Sequence, residues 1–324
     1  MTAFAQPERL RPAALRPGDT VGIIAPAGVI DHDALEAGCA WLRAKGYQLF
    51  YLSSIFDREL YFAGSAQRRF DEFHQMFSRP EVKAIICARG GYGCNYLLPK
   101  IDLDLVRANP KTFCGCSDIT TLLTFLCDRA GMVTFHGPML NVDMRPDGVD
   151  EESWTAALVS AETYQREFSS DDVQTLVAGN AEGMLYGGCL SLLCASLGTP
   201  YEIDTRGTIL FIEDLAEPAF RIDRMLMHMK LAGKFEGVRG LIFGEMLQCG
   251  PRNGQDYTLQ QVVERVVGDL GIPVAYGLKS GHVTGGNITL PFGVNAHFTA
   301  GSTVSLELAA SVQREAAPVA VAKR

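Results

Sequence analysis

The sequence predicts an α/β protein built on a doubly wound, mostly parallel sheet, followed by a second unit of mixed strands and helices. Three observations carry that expectation. Short apolar stretches alternate with amphipathic ones through residues 20–136, the pattern of strands joined by crossover helices. One of them, residues 111–129, hands a buried strand straight to a helix, with only Gly115 to Asp118 left for the turn. From Asn287 onward the period changes to alternation broken by turn glycines, which reads as antiparallel strands.

Taken in order, residues 1–18 are a polar, proline-containing lead-in. Residues 20–25 are a first strand, stopped by Pro26. Residues 33–45 read as a helix with Gly46 in the usual position just past its end, and residues 48–52 as a second strand. Residues 66–77 are helical, with Phe70, Phe73 and Phe77 on one face. A third strand, 83–88, runs directly into Arg89-Gly-Gly-Tyr-Gly93. The fourth strand, 111–116, precedes a helix whose Ile119, Leu122, Leu123 and Leu126 form an i, i+3, i+4, i+7 stripe. A fifth, 133–136, is closed by Gly137-Pro138.

Residues 141–179 change character, being acidic and poor in aliphatic runs, with one helix around 152–160. This places a first domain at 1–145, a linker at 146–180, a second domain at 181–312 and a flexible tail at 313–324. In the second domain, residues 183–189 run into a short helix ending at Gly198. Residues 208–212 form a strand ending in Glu213-Asp214, and the helix after it turns Ile222, Met225, Leu226 and Met229 inward. Residues 241–243 are another strand and 259–270 another helix.

Composition narrows the function. A 324-residue chain with 47% hydrophobic residues has a full globular core available. A net charge of −8 argues against nucleic acid or an anionic membrane as partner. No apolar run approaches the length of a membrane span, and proline and charges stand where a signal peptide needs an apolar core. The expectation is a soluble, cytoplasmic protein. Nine cysteines scattered through apolar segments suit reduced core thiols better than a disulfide framework. With no His-Glu-x-x-His and no cysteine–histidine cluster, a metal site is not expected.

Ligands of open α/β sheets gather beyond the carboxyl ends of the strands. Arg89-Gly90-Gly91-Tyr92, Ser117-Asp118 and His136-Gly137 all fall there. A serine in so tight a turn has its hydroxyl lifted out of the sheet edge, and the N–H groups that follow open a helix N-terminus. That suits a nucleophile with an oxyanion site beside it. It also suits an N-cap at Ser117 or Asp118, as the glycine pair also suits a plain turn. Cys116 is an alternative nucleophile. His32, His74, His228 and His297 sit on polar helix faces or strand ends; only His136 and His282 are flanked by loop glycines. A serine nucleophile needs a base, and the base needs an acceptor that fixes its tautomer. Ser117, Glu213 and His282 supply such a set.

Several motifs run through the chain in one order: Leu-Arg-Pro-Gly-Asp19 with Ala25-Pro26, Arg89-Gly-Gly-Tyr-Gly93, Gly115-Cys-Ser-Asp-Ile-Thr120 and Phe135-His-Gly-Pro138. They continue with Gly187-Gly-Cys-Leu-Ser191, Leu197-Gly-Thr-Pro200, Leu210-Phe-Ile-Glu-Asp214, Arg221-Ile-Asp-Arg224 and Gly281-His282. Together they make the sequence resemble the LD-carboxypeptidase family of serine peptidases over residues 9–308. That family includes muramoyltetrapeptide carboxypeptidases and microcin C immunity peptidases. The resemblance implies a flavodoxin-like parallel-sheet N-terminal domain and a smaller, swivelling β/α C-terminal domain. It implies Ser117 as nucleophile, Glu213 as acid and His282 as base, with the backbone N–H groups of Gly91 and Asp118 as oxyanion donors. It implies no cofactor, a homodimer, and as substrate a murein peptide or related small peptide conjugate. An exopeptidase must also recognise a free carboxylate, for which Arg89, Arg221 and Arg224 are candidates. Two residues depart from the family pattern: Cys116 replaces an aromatic, and Cys189 replaces the asparagine of Gly-Gly-Asn-Leu.

Overall fold

The structure is a computed structural model that describes residues 9–251 and 254–314. The first sheet begins with β1 (Thr20–Ile24), which passes through α1 (His32–Ala44) to β2 (Gln48–Phe50). Asp31 starts α1 by accepting the Ala34 N–H, and Gly46 ends it at φ 89°, a left-handed turn that glycine makes without a Cβ penalty. α2 (Ala66–Ser78), capped by Ser65, leads into β3 (Val82–Cys87). α3 (Leu103–Ala108) precedes β4 (Thr112–Gly115), and α4 (Thr120–Phe125) leads to β5 (Thr134–His136). These five strands are parallel, in the order β2-β1-β3-β4-β5, the flavodoxin-like order expected.

Two strands lie in the stretch expected to be a linker. After α5 (Glu151–Leu158) come β6 (Tyr164–Phe168) and β7 (Gln174–Val177), and neither is free. The remaining elements are β8 (Gly179–Cys189), α6 (Leu190–Ser196), β9 (Thr208–Glu213), α7 (Ala219–Leu231), β10 (Gly240–Gly244), α8 (Leu259–Val267), β11 (Val274–Leu278), β12 (Leu290–Phe292), β13 (Asn295–Ala300) and β14 (Val304–Leu308). The second sheet is ordered β6-β14-β13-β8-β9-β10-β11-β7, with β8 to β11 parallel and the flanking strands antiparallel. β6 and β7 therefore close its two edges. The composition of β6, Tyr-Gln-Arg-Glu-Phe, fits that place, since an edge strand keeps charged residues against water. The unit expected to be smaller thus carries the wider sheet.

One strand crosses between the halves. β12 pairs antiparallel with β5, Leu290 opposite His136, and becomes the sixth strand of the first sheet. A single apolar core follows it, running from Val21, Ile23, Phe73 and Phe113 to Phe211, Ile242 and Phe298 of the second sheet. Each fully buried phenylalanine of this set stabilises the fold by about 1.5–3 kcal/mol. A second cluster, with Leu210, Ile222, Leu226 and Val263, covers the other face under α6, α7 and α8.

α2 turns inward most of the face that its phenylalanines mark, but the buried stripe is shifted to take in two charged residues. Arg69, Glu72, Phe73, Met76 and Phe77 are buried, and Phe70 is only half-buried. Of the expected tail, Gln313 bridges to Ala13, while residues 315–324 lie outside the described residues, as do residues 1–8 of the lead-in. Among the described residues no helix is long and apolar enough to cross a membrane.

Candidate active site

Ser117 follows β4 at φ 61°, in the left-handed region that a non-glycine residue occupies at a cost of about 1–3 kcal/mol. The strained residue opens one short helical turn, Ser117–Ile119, which continues into α4. The capping position of that turn is Cys116, not Ser117, and it carries no side-chain capping hydrogen bond. Asp118 does not cap either: its Oδ2 accepts the Cys94 N–H at 2.9 Å. The N-cap alternative therefore fails for both residues, and the serine hydroxyl is left at the carboxyl edge of the sheet.

The loop after β3 closes over that serine. A Cβ at Gly90 would stand 2.6 Å from Ser117 Cβ and 2.9 Å from its Oγ, so only glycine permits this approach. Gly91 follows at φ 113°. Among the described turn and loop hydrogen bonds, none uses the N–H of Gly91 or Asp118. The loop is anchored by Asp118 on Cys94 and by Arg69, which is 1% exposed. Arg69 Nη1 donates to Pro26 O and Gly93 O, each at 2.8 Å, and the guanidinium lies 4.8 Å over the Phe62 ring. Beside it, Arg68 and Glu72 form a 2.6 Å ion pair, and Glu72 accepts the Ala25 N–H. Gly90→Ala is expected to lower kcat by roughly 100-fold, the cost of displacing a reacting group by about an ångström. Steady-state kinetics beside a melting curve would check it, because the fold should survive.

Glu213 ends β9 fully buried, opposite Cys189 of β8. A second close approach joins it to the serine. A Cβ at Gly188 would stand 2.5 Å from Thr120 Cγ2, and Thr120 Oγ1 accepts the Cys189 N–H at 3.0 Å. α4, which starts at the Ser117 turn, is thereby fastened to the strand beside Glu213. The Cys189 position makes this bond through its backbone. Asp214 is engaged separately, accepting the Ser191 N–H and hydroxyl at 2.9 and 2.6 Å.

His282 lies in the loop after β11 and turns both of its nearby donors to one oxygen. Its backbone N–H reaches Glu213 Oε2 at 3.1 Å and its Nδ1 at 2.8 Å. An N–H at Nδ1 leaves Nε2, on the far edge of the ring, as the basic nitrogen. Asn287 pins the loop: its Oδ1 accepts the Gly281 N–H at 3.0 Å and its Nδ2 donates to Gly281 O at 2.9 Å. Gly281 itself, at φ 91°, has Glu213 Cδ and His136 Cε1 each 2.7 Å from where a Cβ would be.

Burial alone would push the Glu213 carboxyl up, but attraction to His282 and His136 outweighs it and holds the group at about 2. Burial likewise opposes charge on His282, yet the adjoining Glu213 carboxylate, with Asp214 and Asp143 behind it, raises the imidazole above its ordinary value. A base must be neutral to accept a proton. The acid limb of kcat/KM is therefore expected above the ordinary histidine value of about 6.5, with activity rising as pH rises through it. A pH–rate profile between pH 5 and pH 9 checks this.

Cys116 is not a competing nucleophile. It is buried, and burial, with repulsion from Asp143 and Glu213, pushes its thiol well above the ordinary value, which suppresses the reactive thiolate. Of the three arginines, Arg89 alone joins the loop that bears Gly91, its Nη1 donating to Val29 O at 2.9 Å. Arg221 is exposed and ion-paired to Glu217 at 3.3 Å, and Arg224 is exposed on the same helix. Sequence patterning missed Arg69, Glu72 and Asn287. Only Asn287, next to a glycine pair, carried a local signal. Among the described residues no group of three or more histidine, cysteine or acidic side chains is placed to hold a metal ion.

This strained serine between two glycine loops, with a buried carboxylate–histidine pair nearby, is an arrangement suited to acyl transfer. The family model of the LD-carboxypeptidase N-terminal domain matches residues 21–137, and that of the LD-carboxypeptidase C-terminal domain matches residues 182–298. A Bacillus subtilis (strain 168) protein named "Probable murein peptide carboxypeptidase" is 40% identical over 307 residues, 93% of this chain and 95% of that protein. The chain belongs to the LD-carboxypeptidase family. Among solved structures, MccF in complex with glutamyl sulfamoyl guanosine superposes with a TM-score of 0.84 at 25% identity, covering 94% of this chain and all of that one. The muramoyltetrapeptide carboxypeptidase from Oxalobacter formigenes superposes with a TM-score of 0.80 at 28% identity, covering 91% of this chain and all of that one.

Proposed function

We propose that this protein is a serine-type LD-carboxypeptidase that removes the terminal D-alanine from murein tetrapeptides in the cytoplasm, as part of peptidoglycan recycling. The observation that carries this reading is Glu213, fully buried and holding both donors of His282 on one oxygen, near the edge where Ser117 is strained outward. His282 Nε2 takes the Ser117 proton as Oγ attacks the scissile carbonyl. The N–H groups of Gly91 and Asp118 receive the oxyanion. His282 then returns the proton to the departing alanine amine, leaving an acyl-enzyme that water cleaves by the same route. Arg89 is the arginine best situated to receive the terminal carboxylate, and no metal or cofactor takes part. We also propose a homodimer, which sedimentation analysis would test.

The deciding experiment is incubation of pure protein with UDP-MurNAc-tetrapeptide, with products read by mass spectrometry. Loss of one alanine supports the reading; an intact substrate after incubation with folded protein overturns it. One observation favours a second reading, cleavage of an aminoacyl-nucleotide conjugate: Tyr92 and Tyr96, 42% and 51% exposed, flank the Gly91 loop and offer ring faces to a nucleobase. Against it, Trp41 and Trp154 are spent on each other, edge to face at 5.5 Å where α1 meets α5. An aminoacyl sulfamoyl adenosine substrate in the same assay separates the two.

A further inference from the structure

His136 is one of the two histidines flanked by loop glycines, and the mechanism above does not use it. It is 0% exposed at the end of β5, held between Gly115 of β4 and Leu290 of β12. Its ring lies between those of Phe211 and Phe292, at centroid distances of 5.2 and 5.4 Å. Nδ1 meets Ser280 Oγ at 3.0 Å. On the other edge, Nε2 stands 3.8 Å from Glu213 Oε1, the oxygen that His282 leaves alone. Both atoms are buried and neither makes a hydrogen bond, so they face each other just beyond hydrogen-bond distance with no other polar partner.

Those contacts favour one tautomer. If the Ser280 hydroxyl donates to Nδ1, then Nε2 carries the hydrogen and points it at the carboxylate. The opposite tautomer would set a nitrogen lone pair against a buried carboxylate oxygen, a repulsion nothing nearby relieves. We infer that His136, oriented by Ser280, is a positioning residue for Glu213: it engages Oε1 so that Oε2 stays aimed at His282. The inference rests on the Ser117–Glu213–His282 reading. It gives Glu213 a histidine on each oxygen, one reaching toward the nucleophile and one fixed in the first sheet. Gly281 permits the arrangement, since a side chain there would enter the space between the two groups.

The test is the rate at which a fluorophosphonate labels Ser117, followed against pH by mass spectrometry, which needs no knowledge of the substrate. His136→Phe keeps a ring between Phe211 and Phe292 but removes the N–H. Labelling should slow by roughly 10- to 100-fold, as for a slightly misplaced catalytic group. The sign of the pH shift separates this role from a structural one. Asp143 and Asp214 face His282, and Cys116 and Cys189 face Glu213; all four are unchanged in the variant. With Oε1 uncompensated, the carboxylate holds protonated His282 more tightly, so the acid limb moves to higher pH. A merely loosened site would lower it or leave it in place. His136→Gln, which restores an N–H near Nε2, should recover part of the rate and bring the limb back. If His136→Phe does not fold, Ser280→Ala, which frees the tautomer, should move the limb the same way by less. A limb that stays or falls in the folded variant overturns the inference. Wild-type protein in which Ser117 is never labelled overturns the serine-nucleophile reading along with it.

Discussion

Replacing Ser117 with alanine is expected, on the serine-nucleophile reading, to lower turnover by roughly 10³-fold or more, with KM little changed. The argument rests on what the variant keeps. Alanine retains the Cβ that faces the glycine at position 90, and the Gly91 and Asp118 N–H groups stay unused by the described turn and loop hydrogen bonds. On that reading, binding and oxyanion contacts should persist while the attacking atom is gone. The backbone strain at φ 61° persists as well, so stability should hardly move. Single-turnover kinetics on UDP-MurNAc-tetrapeptide, beside thermal melts, would check both halves. A variant retaining most of its activity would rule out Ser117 as nucleophile.

Glu213→Gln should lower kcat by roughly 10³- to 10⁴-fold, the scale seen when a triad carboxylate becomes an amide. Size and shape are conserved, so the buried site between Gly281 and Gly244 still accommodates the side chain. The chemistry is not conserved. Oε2 now accepts two hydrogen bonds, from His282 N and Nδ1; an amide nitrogen in its place meets two donors with a third. With the oxygen kept there, the negative charge that raises His282 is still lost. The sign follows: the acid limb of any residual activity should fall below that of the wild type. A pH–rate profile of the variant would detect it, and an unchanged limb would show that another group sets the His282 titration.

The parts of this site that were legible in the sequence are those fixed by neighbours along the chain. The strand-to-helix turn at Ser117 is local: Gly115 lets the chain bend against Ile119, and the stripe from Ile119 to Leu126 declares the helix. The pairing of Glu213 with His282 is different in kind, because 69 residues separate them and only the β9 and β11 loops bring them together. Their assignment came from residue chemistry and from resemblance, not from spacing. Arg69 and Glu72 were unreadable because periodicity treats charged residues as outward. Here their partners, Gly93 O, Pro26 O and Ala25 N, make burial tolerable. β6 was missed for a related reason, since its polar Gln-Arg-Glu centre resembles connecting chain, and β7 because it is only four residues long. β11 escaped notice because Gly277, at φ 110°, interrupts so short a run.

The entry of β12 into the first sheet bears on how the chain is made. During synthesis, residues 20–136 can assemble the five parallel strands early, yet the outer side of β5 has no partner until residue 292 has left the ribosome. For that interval an apolar strand edge, the kind that recruits other chains, is open. The contact that covers it joins residues about 155 positions apart, nearly half the sequence, and closing so long a loop is slow. The nascent protein is therefore expected to be most open to aggregation at that edge. Truncation anywhere before β12 should give an aggregating fragment in place of a half-sized soluble domain.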